Sequence, residues 1–138
     1  MRALVQRVKR ASVTVDGQLI SEVGPGMLVL LGVKKGDTPE AATKIASKLL
    51  KLRIFEDDSG RMNEPVGDGE ILCVSQFTLY GDTNKGNRPT WSDAAGGEEA
   101  EPLYDLVCAG LGARKGVFGA DMRVEIVNDG PVTLLIDV

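Results

Sequence analysis

The sequence predicts a mixed α/β domain of the α+β type, in which mainly antiparallel or mixed β-sheets, or barrel-like sheets, carry two main packed helices. Short apolar runs separated by Gly-containing turns recur along most of the chain, a pattern typical of strands. Two longer segments instead space their apolar residues at the helical period. With 138 residues, 43% of them hydrophobic, the chain is expected to form one domain over residues 1–138.

The first part of the chain is predicted to be a series of strands. Residues 3–8 and 12–15 are two of them, and Asp16-Gly17 is a hairpin turn leading to residues 18–20, because glycine accepts the positive φ of tight turns. After the Gly24-Pro25-Gly26 turn, the continuous apolar run at 27–33 predicts a central strand.

Two helices are predicted from apolar stripes and start signals. The first follows Asp37-Thr38-Pro39-Glu40, which combines a capping side chain, an early proline and an acidic residue, and it is expected to end near Leu52. The second covers residues 98–111, with Pro102 in its first turn or kinking its start. Both are expected to pack on a sheet.

Residues 71–80 begin as a buried strand and then become polar at Ser75, Gln76 and Thr78. An unpaired polar group inside a buried strand costs about 1–3 kcal/mol, so these three residues need hydrogen-bond partners or a polar cleft. In an extended strand, polar groups would lie on both faces. The pattern predicts either a strand end emerging into solvent or a strand end bordering a functional site.

The remaining segments are predicted to be short strands and turns. Residues 53–55 form a short strand, and residues 117–120 form a Gly-flanked turn that lets the backbone approach a ligand closely. Residues 122–127 and 132–138 alternate like strands, with 128–131 as the turn between them. The bond between Gly130 and Pro131 is left open as cis or trans.

Composition limits the chemistry. The chain has no histidine, which excludes Ser-His-Asp and Cys-His catalysis and imidazole-based zinc sites. Cys73 and Cys108 lie in apolar runs without CxxC spacing and are predicted to be reduced core residues. The acidic pair Asp57-Asp58 does not complete a calcium loop. No metal or cofactor is therefore predicted.

Charge and hydropathy indicate the compartment and permit an RNA partner. The net charge of −4 argues weakly against general nucleic-acid binding, but cations gather locally, for example at residues 34–35 and 85–88. Residues 81–91 form a long Gly- and Asn-rich loop, either functional or simply mobile with Trp91 anchoring its end. No signal peptide or membrane-length apolar run is present, which predicts a cytoplasmic protein.

Two motifs carry a resemblance to a known family. Residues 75–80, Ser-Gln-Phe-Thr-Leu-Tyr, and residues 128–133, Asn-Asp-Gly-Pro-Val-Thr, resemble the two signatures of D-aminoacyl-tRNA deacylase. The resemblance covers the whole chain and includes residues 5–8, 85–89 and 118–120. It implies that the chain has the fold of that family and is a carboxylic ester hydrolase that proofreads aminoacyl-tRNA. It also implies that the enzyme uses no cofactor.

The resemblance also implies roles for the first signature. Phe77 and Thr78 would line the reaction centre, where backbone N–H groups serve the ester carbonyl, and Ser75 and Gln76 would shape it. An aminoacyl ester is already activated, so hydrolysis needs positioning and oxyanion stabilisation more than a strong base. Thr78 is a nucleophile in one view of the family. Assistance by the 2′-hydroxyl of the terminal adenosine is favoured here, because no residue is an evident base for Thr78.

The second signature is implied to supply chiral selection. Gly130 and Pro131 would form a cis Gly-Pro element that enters the active site of the other subunit of a homodimer and obstructs L side chains. Glycine has no side chain to reject, so glycyl-tRNA, including glycine mischarged on tRNA-Ala, would also be a substrate. Arg7 resembles the residue that holds this element. Phe118, Gly119 and Ala120 are implied to contribute to the adenosine pocket.

Three rival functions remain open. Two are related: an L-serine-removing proofreading module of archaeal threonyl-tRNA synthetase, and an animal deacylase with a trans Gly-Pro. The third is a non-catalytic RNA-binding or dimeric scaffold, which would bind tRNA and leave the ester intact. The intact signatures at residues 75–78 and 128–133 favour the D-specific enzyme.

Overall fold

The computed structural model describes all 138 residues and confirms the predicted mixed class. Strands are numbered β1–β8 and α-helices α1–α2 in chain order, with one separate 3₁₀ helix. Their bounds are β1 Arg2–Val15, β2 Gln18–Val23, β3 Gly26–Gly32, α1 Pro39–Leu50, β4 Phe55–Glu56, β5 Met62–Glu64, β6 Glu70–Ser75, the 3₁₀ helix Phe77–Tyr80, α2 Gly97–Leu111, β7 Arg114–Lys115 and β8 Arg123–Asp137.

Strand β1 is the centre of the sheet. It was predicted as two strands, but it is one continuous strand of 14 residues. Its first half pairs antiparallel with β3, its second half pairs antiparallel with β2, and β8 pairs with it along both halves. The predicted hairpin turn is present, with positive φ at Asp16 (49°) and Gly17 (78°). The charged residues Lys9 and Arg10 interrupt the apolar pattern of the sequence. They do not end β1, because the strand has hydrogen-bonded partners on both of its edges.

The sheet is mixed, and its strand order brings two carboxyl ends together. The order is β2-β1-β3-β6-β7, and β3 and β6 run parallel with Leu31 opposite Ser75. Apolar side chains alternate between two cores. The larger core of 22 residues lies between the sheet and the helices, and a smaller one of seven residues, including Leu28 and Leu72, lies on the other face, where the sheet curves into a nearly closed barrel.

Both helices start and stop where local chemistry requires. The Thr38 hydroxyl accepts a hydrogen bond from the Ala41 N–H (3.2 Å), which caps α1 as predicted. The helix ends at Leu50, two residues earlier than expected. Helix α2 begins at Gly97, so Pro102 lies in its second turn, and the expectation of a first-turn proline is wrong. Gly112 ends α2 in the left-handed conformation (φ 61°).

Two other predictions were wrong in ways that matter for the site. Strand β6 stops at Ser75, and residues 77–80 form a 3₁₀ helix, so the two-residue alternation does not continue to Tyr80. The expected strand–turn–strand near the C-terminus is instead one strand, β8. Residues 129–132 form a bulge in it, opposite the single residue Arg7 of β1. The predicted short strand at 53–55 is shifted to Phe55–Glu56.

No α-helix of the protein has the length and apolarity needed to cross a membrane.

Candidate active site

The first signature forms a tight turn at the carboxyl end of β6. The Gln76 N–H donates to the Leu31 carbonyl of β3 (2.7 Å), which carries the sheet one residue beyond β6. The Leu79 N–H then donates to the Gln76 carbonyl (3.2 Å), which starts the 3₁₀ helix. The first N–H groups of a helical turn have no acceptor inside it, so those of Phe77 and Thr78 remain available to a ligand.

The far end of the 3₁₀ helix is held by Arg2. Its guanidinium donates to the Leu79 carbonyl (2.9 Å) and lies 4.9 Å from the centre of the Tyr80 ring. The hydrogen bond from Arg2 to Asp137 raises the pKa of Arg2. Burial, with a smaller contribution from Asp37, raises the pKa of Tyr80 to about 12. Arg2 and Tyr80 therefore keep one charge state at neutral pH, and the turn keeps its support.

The side chains of the 3₁₀ helix are accessible. Phe77 is 55% exposed although it is a large apolar residue, and its ring packs edge-to-face on Trp91 with centroids 5.2 Å apart. The Thr78 hydroxyl is exposed and hydrogen-bonded to the Gln76 side-chain amide. An amide is not a base, so this contact positions Thr78 without activating it.

A cavity of about 460 Å³ lies beside this turn. Ser75, Gln76 and Phe77 line one side of it, and the turn at residues 118–120 lines another. The other lining residues are small or apolar: Leu31, Val33, Val74, Ala95, Gly97, Ala100, Met122 and Val124. None of the lining side chains is ionisable. A cavity that is mostly apolar with a polar rim suits a planar ring whose polar groups reach the rim.

The second signature forms the bulge of β8, which we call the Gly-Pro bulge (residues 129–132). The Asn128 side-chain amide donates to the carbonyls of Arg7 (2.9 Å) and Val132 (3.0 Å) and so closes the base of the bulge. The Thr133 hydroxyl donates to the Asn128 side-chain oxygen (3.3 Å). The side chains of Asn128 and Thr133 therefore stabilise the bulge through hydrogen bonds within the same motif.

Arg7 supports the Gly-Pro bulge from β1. It is 7% exposed, donates to the Ile54 carbonyl (2.8 Å) and the Asp129 carbonyl (3.3 Å), and pairs with the Asp129 carboxylate (3.4 Å). A buried guanidinium with several acceptors is held in one position.

Gly130 has a conformation that requires glycine. Its φ is +120°, and an added Cβ would lie 2.9 Å from Nη2 of Arg7 and 3.0 Å from Cγ2 of Val132. The Gly130–Pro131 peptide bond, which the sequence left open, is cis. Gly130 and Pro131 are both exposed, and Gly130 contributes only backbone to this surface.

The predicted site residues fall into two groups within one chain. Six of them, Ser75, Gln76, Phe77, Phe118, Gly119 and Ala120, meet around the cavity, and Thr78 follows directly on the 3₁₀ helix. Arg7, Gly130 and Pro131 form the second group and line no part of that cavity.

Sequence reasoning missed several residues of the cavity wall. Leu31 comes from the end of β3 and Val33 follows this strand directly. Gly97 and Ala100 come from the start of α2, and Met122 comes from the segment before β8. The segments that hold them are far apart in sequence, and no local pattern signals the parallel pairing of β3 with β6 that collects them. No three His, Cys, Asp or Glu side chains converge in the protein as metal ligands would.

Cys73 and Cys108 are buried free thiols, as predicted. Hydrogen bonding to Cys108 and burial raise the pKa of Cys73, whereas hydrogen bonding to Cys73 lowers the pKa of Cys108. Tyr104 donates a buried hydrogen bond to the Cys73 carbonyl (2.8 Å). Cys73, Tyr104 and Cys108 all belong to the larger core. Neither thiol lines the cavity.

The family model and two similar proteins that match this chain are described as deacylases of D-Tyr-tRNA(Tyr) or D-aminoacyl-tRNA. The family described as D-Tyr-tRNA(Tyr) deacylase matches residues 4–137. A D-aminoacyl-tRNA deacylase of Anaeromyxobacter dehalogenans is 56% identical, with 99% of this chain and 97% of the relative covered. A D-aminoacyl-tRNA deacylase of Deinococcus radiodurans is 52% identical, with both chains fully covered.

Solved structures share the fold. One described as c-Myc DNA Unwinding Element Binding Protein has a TM-score of 0.95 at 44% identity and covers 100% of this chain and 99% of its own. Another, a probable eukaryotic D-amino acid tRNA deacylase, has a TM-score of 0.83 at 19% identity and covers 99% of this chain and 98% of its own. The second likeness concerns the fold alone.

Proposed function

Because the chain belongs to the D-Tyr-tRNA(Tyr) deacylase family, we propose that it is a proofreading hydrolase that cleaves the ester of D-aminoacyl-tRNA to free amino acid and tRNA. The observation that carries the proposal is the turn at residues 76–78. Phe77 lines a cavity large enough for a terminal nucleoside, and Thr78 is the next residue of the same turn.

The reaction is hydrolysis of an activated ester. Water adds to the carbonyl carbon, the bond between that carbon and the ribose oxygen breaks, and the ribose oxygen takes up a proton. The N–H groups of Phe77 and Thr78 stabilise the oxyanion, a contribution worth about 10²–10³ in rate per donor in other hydrolases. The cavity wall holds no ionisable side chain, so the neighbouring 2′-hydroxyl of the substrate assists the proton transfer.

The terminal adenosine occupies the cavity beside Phe118. The turn at residues 118–120 brings backbone close to the ligand, and Phe118 offers an aromatic surface. A purine stacked on an aromatic ring gains about 1–3 kcal/mol. The polar rim formed by Ser75 and Gln76 then faces the ester.

Chiral selection comes from the Gly-Pro bulge of a second subunit. Two observations support a homodimer with composite sites. In one chain the bulge lies apart from the cavity, and β8, which carries the bulge, exposes four large apolar side chains, Ile126, Val127, Leu134 and Leu135. Such a surface is typical of an interface. From the partner, bare backbone at Gly130 and Pro131 obstructs an L side chain and leaves room for a D side chain.

The same selection admits glycine. Glycyl-tRNA, including glycine mischarged on tRNA-Ala, lacks the side chain that the bulge would obstruct and is a second substrate. The enzyme acts where aminoacyl-tRNA is made, in the cytoplasm, and it needs no cofactor for this chemistry.

The proposal is tested by hydrolysis of matched D-tyrosyl-tRNA and L-tyrosyl-tRNA by the purified protein. Rapid loss of only the D ester supports the D-specific enzyme. Preferential loss of the L ester would instead support the serine-removing proofreading module or the animal deacylase with a trans Gly-Pro. Binding of tRNA with both esters intact would support the scaffold.

A further inference from the structure

Two cationic segments follow β3 and β6 in the chain, and residues at the carboxyl ends of both strands line the cavity. Strands β3 and β6 are parallel, so their continuations emerge together. Lys34 and Lys35 follow β3, and Lys85 and Arg88 lie in the loop that follows the 3₁₀ helix. All four are exposed. We call these four residues the cationic edge.

The loop carrying Lys85 and Arg88 is joined to the active site at its base. Asp82 and Thr90 exchange two backbone hydrogen bonds of 2.9 Å, which close the loop like a short hairpin. Trp91, the next residue, packs on Phe77. Lys85 and Arg88 therefore lie only six and three residues before Trp91, which contacts Phe77, in a loop that is closed at its base.

The other cationic segment is tied to the same region. The Lys35 N–H donates to the Asp93 carbonyl (3.0 Å), and Lys34 forms a β-bridge with Ala94. These two partners lie two and three residues after Trp91. Both cationic segments are therefore connected to one short stretch, residues 91–95, which also contributes Ala95 to the cavity wall.

None of the four side chains takes part in an ion pair, although other surface cations of the protein do. Three of the acids on the neighbouring backbone have other partners, whereas the exposed carboxylate of Asp93 has no hydrogen bond or ion pair. Asp37 accepts from the N-terminal ammonium group (2.9 Å) and from the Lys34 N–H (2.7 Å), Glu99 accepts from the Gly36 N–H (2.8 Å), and Asp82 accepts from the Asn84 N–H (2.8 Å). Exposed cations without an ion-pair partner can attract an anionic ligand even on a protein of net charge −4.

We propose that the cationic edge binds phosphates of the RNA acceptor end and so delivers the 3′-terminal ester to the cavity. The inference rests on the proposed function, since it assigns the RNA contacts of the same site. A nucleic acid carries a phosphate at every nucleotide, so a strand whose last nucleoside fills the cavity must pass over the adjoining surface. Cations beside the opening are placed to neutralise those phosphates.

The test compares two substrates and two double variants. The substrates are D-tyrosyl-tRNA and the D-tyrosyl ester of adenosine, which lacks phosphates. The variants are K85A/R88A and, as a control with the same charge change, K48A/K51A, which alters two exposed lysines without ion pairs at the far end of α1. All four substituted side chains are exposed, so both variants are expected to fold.

K85A/R88A should lower kcat/KM for the tRNA ester, mainly through KM, and leave hydrolysis of the adenosine ester unchanged. Loss of two phosphate contacts should make the slope of log(kcat/KM) against log salt less steep by about 1.4 to 1.8. K48A/K51A should change neither. An equal loss on both substrates, or an unchanged salt slope in K85A/R88A, would overturn the inference.

Binding of uncharged tRNA tests the cationic edge independently of ester hydrolysis. If the native protein hydrolyses neither ester, the proposed function fails. Weaker tRNA binding by K85A/R88A than by K48A/K51A would still support the cationic edge, and equal binding by both would reject it.

Discussion

Replacing Thr78 by alanine separates the two chemical roles proposed for this residue. Its hydroxyl is exposed and has one side-chain partner, the Gln76 amide, so the substitution removes one neutral hydrogen bond. Such a bond contributes about 0.5–1.5 kcal/mol. At about 1.4 kcal/mol per tenfold, the expected loss in kcat is roughly 2- to 13-fold. Removal of a true nucleophile costs far more, roughly 10⁶-fold in kcat in a serine hydrolase.

The assay is single-turnover hydrolysis of D-tyrosyl-tRNA with enzyme in excess, which isolates chemistry from product release. Thr78→Ser is the matched control because it keeps the hydroxyl. A parallel substrate whose terminal adenosine lacks the 2′-hydroxyl should react much more slowly with the native enzyme. A loss greater than about 10³-fold in Thr78→Ala at unchanged Tm, with activity restored in Thr78→Ser, would refute substrate assistance and identify Thr78 as the nucleophile.

Three further outcomes are expected. Gly130→Ala places a Cβ 2.9 Å from Nη2 of Arg7 at φ +120°; strain of about 1–3 kcal/mol should lower Tm and weaken discrimination between D and L esters, and an unchanged ratio of the two rates would contradict the role of the bulge. Trp91→Ala removes an edge-to-face pair worth about 0.5–1.5 kcal/mol and should reduce kcat/KM for the adenosine ester about 2- to 13-fold. Trp91→Phe keeps an aromatic ring and should retain most activity. Equal losses of kcat/KM in the two variants would show that the aromatic contact with Phe77 does not support activity. The pKa of Tyr80 is raised from 10 to about 12, so the unfolded state releases this proton at lower pH than the folded state does. The contribution of Tyr80 to the free energy of unfolding should therefore be constant below pH 10 and fall as pH rises from 10 to 12. When the free energy of unfolding is measured by denaturant titration and plotted against pH, the native protein and Tyr80→Phe should differ in slope only in that window; an equal slope there would contradict the prediction.

Local chemistry in the sequence predicts much of the fold. The Asp16-Gly17 turn and the Thr38 cap are each decided by residues close together in the chain, and the structure has both. The continuity of β1 was not predictable, because it depends on partners at both edges that lie far along the chain. The parallel pairing of β3 with β6 is non-local in the same way.

The candidate site was predictable in composition but not in shape. The polar positions Ser75, Gln76 and Thr78 indicated a strand end near a site, and the family motifs added the turn at 118–120, which the structure places beside the same cavity. The 3₁₀ helix was missed because a two-residue period was assumed to continue, whereas Gln76 bonds to the end of β3 and the chain then turns. The bulge at 129–132 was missed because its Gly-Pro pair resembles an ordinary turn.

Strand β1 links the two signatures mechanically. Arg2 holds the end of the 3₁₀ helix and Arg7 holds the Gly-Pro bulge, and both belong to this one strand. Inserting or deleting a single residue between them would reverse the faces of one arginine relative to the other and detach one signature from its support. The spacing from Arg2 to Arg7 should therefore be fixed wherever both functions are kept.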